Sequence, residues 1–171
     1  MQNKDPSSTN IIDLKIGTST VTDNCSRDHE KLAKRIKKDK ETTSEELGYK
    51  ITGYSLRNPN QPPEDFVKKP YKTKEETSDI LKKFFGANSK HLMKCYLFVG
   101  DLFDFIKNHP YELKGASILI ILHGNECEIK LIDLASVNKI YDASKRDEGF
   151  LLGLQNLRYS LLNIFKANEN I

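Results

Sequence analysis

The sequence predicts an α+β fold, on three observations. β-branched and apolar runs at residues 10–16, 49–56 and 116–134 read as strands, the last of them as a hairpin. Four stretches, at residues 27–40, 73–85, 89–108 and 147–166, have helix-forming composition or apolar side chains near the helical period. Their order is strand, helix, strand, two helices, hairpin, helix, which is that of an α+β domain.

Each element has a local reason. Asn10-Ile11-Ile12 supplies β-branched residues for the first strand, and Gly17 permits a tight exit from it. Residues 18–26 are rich in Thr, Ser, Asp and Asn and read as a loop. The helix over 27–40 is built from Lys, Arg, Glu, Leu and Ala, with Ser26 as its expected N-cap. The strand over 49–56 is interrupted by Gly53. Residues 57–73 hold Pro59, Pro62, Pro63 and Pro70 and form an irregular, proline-rich connection. Thr73 and Glu76 then make a capping box for a helix whose core side chains are Ile80, Leu81, Phe84 and Phe85, stopping at Gly86. The longer helix over 89–108 repeats Leu92, Tyr96, Val99, Leu102, Phe103 and Ile106. Two strands, 116–122 and 127–134, flank a turn at Gly124-Asn125-Glu126. The final helix sets Leu151, Leu154, Leu157, Leu161 and Phe165 on one face.

With 171 residues the chain is expected to form one domain, long enough to bury a core. Charged residues make up 30% of it and the net charge is only +3, so the total charge demands neither nucleic acid nor a membrane surface as partner. Cys25, Cys95 and Cys127 are scattered and form no CxxC, the pattern of a reducing compartment with no disulfide or zinc framework. The longest apolar run, residues 118–122, is far too short to span a bilayer, and the polar first twenty residues show no targeting segment. Cytosol or nucleus is the expected location.

Three groups of residues can carry chemistry. Asp13 and Lys15 lie two apart on a strand, so both point to one face, a carboxylate beside an ammonium. Phosphoryl transfer needs such a pair, an acid to serve as base or metal ligand and a cation for phosphate oxygens; a solvated strand face carries the same pattern. Lys31, Lys34, Arg35 and Lys38 fall at i, i+3, i+4 and i+7, one stripe of the 27–40 helix, with Leu32, Ala33 and Ile36 expected to dock its other side. A compact polyphosphate facing the stripe offsets its self-repulsion. A solvated face balanced by Glu30 and Asp39 is the alternative, and no aromatics are interleaved for stacking nucleic-acid bases. Asp133 closes the second hairpin strand, where Mg²⁺ can be held by one or two carboxylates and otherwise by phosphates and water. His29, His91, His109 and His123 have no metal-like spacing, and no glycine-rich phosphate loop is present.

Taken together, five segments resemble the inositol polyphosphate kinase family in its own order. Residues 9–17, ending Asp13-Leu14-Lys15-Ile16-Gly17, are similar to its P-x-x-x-D-x-K-x-G motif, with Thr9 in place of proline. Residues 41–53 resemble the segment after the substrate helix in the inositol hexakisphosphate kinase branch. Residues 115–119 resemble the S-S-L-L strand, Ile132-Asp133-Leu134-Ala135 the I-D-F-A segment, and residues 147–154 the D-x-G-Y-L-x-G-L helix start. Ser136 and His123 depart from the residues common in the family at those places.

The resemblance implies a protein-kinase-like, SAICAR-synthase-like architecture, of which this chain supplies the C-terminal lobe. Twelve residues before Asp13 leave the N-terminal ATP lobe largely absent. It implies that Asp13 acts on the attacking hydroxyl and that Lys15 contacts substrate and the transferred phosphoryl group. Asp133 is implied to bind Mg²⁺ and through it ATP, with Ser117 holding the strand under the nucleotide. Lys34, Arg35 and Lys38, with Lys31 on the same stripe, are implied to grip the phosphates of an inositol polyphosphate. The implied activity is ATP-dependent phosphorylation of that substrate; the alternative is a non-catalytic module that binds inositol phosphates or phosphoinositide headgroups.

Overall fold

The computed structural model describes residues 9–21, 28–57, 66–68, 73–142 and 144–169. The elements, in chain order, are β1 (Thr9–Ile16), α1 (His29–Lys40), α2 (Ser44–Leu47), β2 (Tyr49–Ser55), α3 (Lys74–Phe85), α4 (Ser89–Asn108), β3 (Tyr111–Leu113), β4 (Ser117–His123), β5 (Glu126–Ile132), a 3₁₀ turn (Leu134–Ser136), β6 (Val137–Lys139) and α5 (Glu148–Glu169). The α+β reading holds. Cys25, the cap expected at Ser26 and most of the proline-rich connection lie outside the described residues. Among the described residues no helix is long and apolar enough to cross a membrane.

β2, β1, β4 and β5 form one antiparallel sheet in that order, and β3 with β6 forms a small second sheet. The strand period of two gives the large sheet one apolar face. Ile12, Leu14 and Ile16 of β1 are fully buried on it, beside Ile51, Ile118 and Ile120. Against that face α5 packs on β1 and β2, α4 packs on β5, and the two helices pack on each other. Leu92, Val99 and Ile106 come from α4, and Leu154, Leu157 and Leu161 from α5. The approach of α5 is set by Gly153: a Cβ there would stand 2.0 Å from the carbonyl oxygen of Gly48. Gly48 itself takes φ +67° to end α2, a conformation that favours glycine. Two glycines of the family-like segments are thus explained by helix-on-strand contact.

The helix boundaries largely match those expected. α4 runs over Ser89–Asn108, and α3 opens with the Thr73/Glu76 capping box in both its hydrogen bonds. α1 starts later than expected, because Asp28 caps it by accepting from the backbone N–H groups of Glu30 and Lys31. The hairpin strand ends at Ile132 instead of 134. Three short elements, α2, β3 and β6, went unread because three or four residues carry no usable periodicity.

One expectation is overturned. Leu32, Ala33 and Ile36 do not dock α1: Leu32 is half-buried, Ala33 is exposed and Ile36 is 42% exposed. The helix is tethered instead by an ion, Asp39, which is also no counter-charge for the stripe. Asp39 is 4% exposed and pairs with Lys50 of β2, itself 2% exposed, at 2.7 Å. The Asp39 carboxylate also accepts from the Thr20 backbone N–H at 2.7 Å and from the Thr20 hydroxyl at 2.8 Å. Burial pushes the Lys50 ammonium below the ordinary lysine value; the hydrogen bond and charge of Asp39 oppose that, while Lys38 and Arg35 add to it.

At the start of α5, Asp147 accepts from the backbone N–H groups of Phe150 at 3.0 Å and Leu113 at 2.9 Å. It caps the helix and pins β3 to it. Burial nevertheless raises its carboxyl above the ordinary 3.8, the two backbone bonds only partly compensating.

Two outcomes are expected in equilibrium unfolding. Asp39→Ala, which strands a buried ammonium, destabilises the fold by about 3–5 kcal/mol, and Asp39→Leu combined with Lys50→Met recovers most of that loss. Asp147→Ala costs about 1–2 kcal/mol as a lost cap. Because the folded carboxyl of Asp147 holds its proton more tightly than the unfolded one, its protonation favours folding: that contribution is whole below pH 3.8 and disappears as pH rises through the raised folded value. Stability of Asp147→Asn, followed over that window, lacks this decline; an unchanged pH profile would refute the assignment.

Candidate active site

The face of the large sheet opposite the core mixes polar and apolar side chains, and the strand register assembles a site on it. In the β1–β4 ladder Asp13 lies opposite Leu119 and Lys15 opposite Ser117. In the β4–β5 ladder Ser117 lies opposite Ile132. Directly opposed residues share a face, so Lys15, Ser117 and Ile132 form one row across three strands. Asp133 is the next residue after that row.

Asp133 leaves the strand with φ 62° and ψ 42°, the one non-glycine residue in the left-handed region among the described residues. Aspartate tolerates that region better than most residues, and strain of this kind clusters at working sites. The turn brings its carboxylate back to Lys15: Nζ donates to Asp133 Oδ2 at 3.2 Å and to the Gly115 carbonyl oxygen at 2.7 Å. An ammonium has three donors, so the third is available to a ligand. The Lys15 side chain is 16% exposed and that of Asp133 57%, which leaves the acid open to solvent.

Asp13 is held on the same face, and its backbone carbonyl accepts from the Thr52 hydroxyl at 3.2 Å. Across from it β2 bulges, its register shifting between Asp13 and Leu14. Asp13 Oδ1 is buried and has no hydrogen-bond partner. A carboxylate oxygen left bare away from water is costly, and a ligand hydroxyl or a cation satisfies it. Ser117, fully buried beside Lys15, likewise has an unpartnered hydroxyl. The exposed acid at Asp133 and the bare oxygen at Asp13 suit a hard cation that takes few protein ligands and completes its shell from phosphates and water. No cluster of three or more potential metal ligands occurs among the described residues.

The cationic helix comes close to this corner through its tether. Lys50 lies opposite Lys15 in the β1–β2 ladder, and Asp39 of α1 sits on Lys50. Arg35 and Lys38 are near enough to perturb Lys50, and both are exposed. Lys34 and Lys31, nearer the start of α1, pair within their own segment, with Glu30 at 2.5 Å and Asp28 at 3.1 Å. Both pairs are exposed and exchange readily with a stronger anion. The site therefore gathers Asp13, Lys15, Ser117 and Asp133 in one corner, with Arg35 and Lys38 next to it and Lys31 and Lys34 further along the helix. The tether itself, Asp39 with Lys50 and Thr20, was not read in advance; Asp39 and Lys50 look like surface charges in sequence.

A nearby cavity of about 450 Å³ is lined by Gly17, Thr18, Lys114, Arg146, Asp147 and Gly149 among others. None of Asp13, Lys15 or Asp133 lines it, and Glu112, Asp147 and Glu148 offset its cations. Its mixed charge makes it a poor seat for a polyanion, and the open polar face is the better one.

Comparisons with known proteins bear on the family and the fold. A family model described as inositol polyphosphate kinase matches residues 3–162. The fold is similar to that of the inositol phosphate multikinase Ipk2 from S. cerevisiae, solved in complex with ADP and Mn²⁺. The TM-score is 0.75 at 21% identity, over 92% of this chain and 78% of that one. An inositol phosphate multikinase from a structural and protein-engineering study is similar at TM-score 0.72 and 23% identity, over 91% of this chain and 79% of its own. At these identities the likeness is one of fold. No curated protein matches by sequence. The family match spans nearly the whole chain, and the corner built by Asp13, Lys15 and Asp133 carries its motifs: the chain belongs to the inositol polyphosphate kinase family.

Proposed function

We propose that this chain transfers a phosphoryl group from ATP to an inositol polyphosphate, on a hydroxyl or on an existing phosphate. The observation that carries the reading is the Lys15–Asp133 contact beside an Asp13 oxygen that is buried and unsatisfied. Asp13 Oδ1 is the acceptor for the proton of the attacking hydroxyl. Lys15, fixed by Gly115, presents its remaining donor to an oxygen of the group in transfer. Asp133 is the place for Mg²⁺, which when bound would neutralise phosphate charge. Support for a nucleotide and a divalent ion comes from the ADP and Mn²⁺ in the similar yeast structure. Ser117 helps hold β4 under the nucleotide. Lys31, Lys34, Arg35 and Lys38 hold the substrate phosphates, and their spacing along α1 suits several phosphates on a compact ring. We place the reaction in the cytosol or nucleus.

Turnover is tested with Mg-ATP and a panel of inositol phosphates. Asp13→Asn is expected to lower kcat by about 10²–10⁴-fold as a lost general base, and Asp133→Asn to abolish turnover while leaving inositol phosphate binding in place. Tight binding by the wild type without any turnover would instead favour a non-catalytic binding module.

The helix is tested by titration calorimetry. Lys34→Ala with Lys38→Ala is expected to weaken inositol polyphosphate binding by roughly tenfold per lysine and to flatten its salt dependence. Unchanged affinity would remove α1 from the substrate site.

A further inference from the structure

The scattered cysteines of the sequence are not all scattered in space. Cys95, in the middle of α4, and Cys127, near the start of β5, bring their sulfurs to 3.9 Å of each other. A disulfide bond is about 2.05 Å long, so closing the pair needs roughly 2 Å of relative movement. Cys127 is the second residue of β5, next to the Gly124-Asn125 turn and on the outermost strand of the sheet, where the backbone has fewest neighbours to displace. The two sites are already tied together: Lys94 Nζ donates to the Cys127 carbonyl oxygen at 2.5 Å.

The two thiols differ in surroundings. Both lie in the core, Cys95 1% and Cys127 6% exposed, but Cys127 also lines a cavity of about 420 Å³ together with Lys90, His91 and Lys94. We propose that Cys127 and Cys95 form a reversible redox pair, in which a hydroperoxide entering this cavity oxidises Cys127 and Cys95 then closes an internal disulfide. The Cys127 thiolate attacks the O–O bond of hydrogen peroxide, forming a sulfenic acid and releasing hydroxide, which takes up the thiol proton as water. The Cys95 sulfur then attacks the Cys127 sulfur, the S–O bond breaks, and a second water leaves. Two thiols and one peroxide become one disulfide and two waters, with both electrons drawn from the sulfurs.

Access assigns the order of attack: Cys127 lines the cavity and Cys95 does not. The nearby Lys94 ammonium favours the thiolate form of either sulfur. Cys127, the sulfur a peroxide in the cavity can reach, therefore reacts first, and Cys95 is the resolving thiol. A pair of this kind suits a reducing compartment, where disulfides are transient and sensory. It acts on β5, the strand that leads into Asp133.

The folded full-length chain is treated with hydrogen peroxide, quenched with catalase, alkylated under denaturing conditions and mapped by mass spectrometry. Before alkylation the expected product is about 2 Da lighter than the reduced chain; after it, the product carries one cross-link between the peptides of Cys95 and Cys127 and an alkyl group on Cys25, and the cross-link reverts with dithiothreitol. With Cys95→Ser, dimedone is expected to trap a sulfenic acid at Cys127, at least tenfold faster than Cys95 reacts in Cys127→Ser. Wild-type mapping decides the matter alone if either variant does not fold. Both cysteines left free, a cross-link to Cys25, or Cys127 oxidised to the sulfinic acid with Cys95 still free would each overturn the proposal.

Discussion

The buried ion pair between Asp39 and Lys50 is the constraint on which the working face of this molecule depends. Few apolar side chains hold α1 to the protein, so the hydrophobic effect does not place this helix. An isolated carboxylate and ammonium lose several kcal/mol each on leaving water. Here the two offset each other, and two donors on Thr20 further satisfy the carboxylate. The arrangement is demanding in geometry, since a shift of about an ångström leaves a charge bare. That demand is useful: it fixes the end of a cationic helix over β2, beside the strand that carries Asp13 and Lys15.

The active corner follows from the same logic on the neighbouring strands. An antiparallel ladder places Lys15, Ser117 and Ile132 in one row, and the left-handed residue after the row turns Asp133 back onto Lys15. Polar groups on this face are under-satisfied where the core face is close-packed. Asp13 Oδ1 and the Ser117 hydroxyl stand without partners. Such groups destabilise the free protein and are satisfied when a ligand arrives, which is how a binding face stays receptive. The opposite face provides the stability: α4 and α5 close over it, and Gly153 lets α5 approach within backbone contact of Gly48.

Much of this was legible in sequence, and the parts that were not share a cause. The capping box at Thr73 and Glu76, the stop at Gly86 and the apolar stripes of the last two long helices depend on neighbours within a turn or two, so the linear pattern contains them. Asp13 and Lys15 could be placed on one face because strand alternation is local. Asp133 could be placed at a strand end. Its left-handed backbone, and hence its return to Lys15, could not, since the return closes over more than a hundred residues. Leu32, Ala33 and Ile36 misled for a related reason: their spacing states which side of a helix is less polar, not whether anything covers it.

By itself the sequence determined which elements form, which side of each strand and long helix is apolar, and which charged residues share a strand face or a helix stripe. Those properties are set by interactions a few residues apart. The tertiary structure alone decided which charges are buried and which sulfurs meet. Asp39 read as a counter-charge on a solvated face and became, with Lys50, the anchor of the cationic helix; Cys95 and Cys127 read as unrelated and became neighbours. The free energy of a charge or a thiol is set by what surrounds it, and only the packing of distant segments supplies those surroundings.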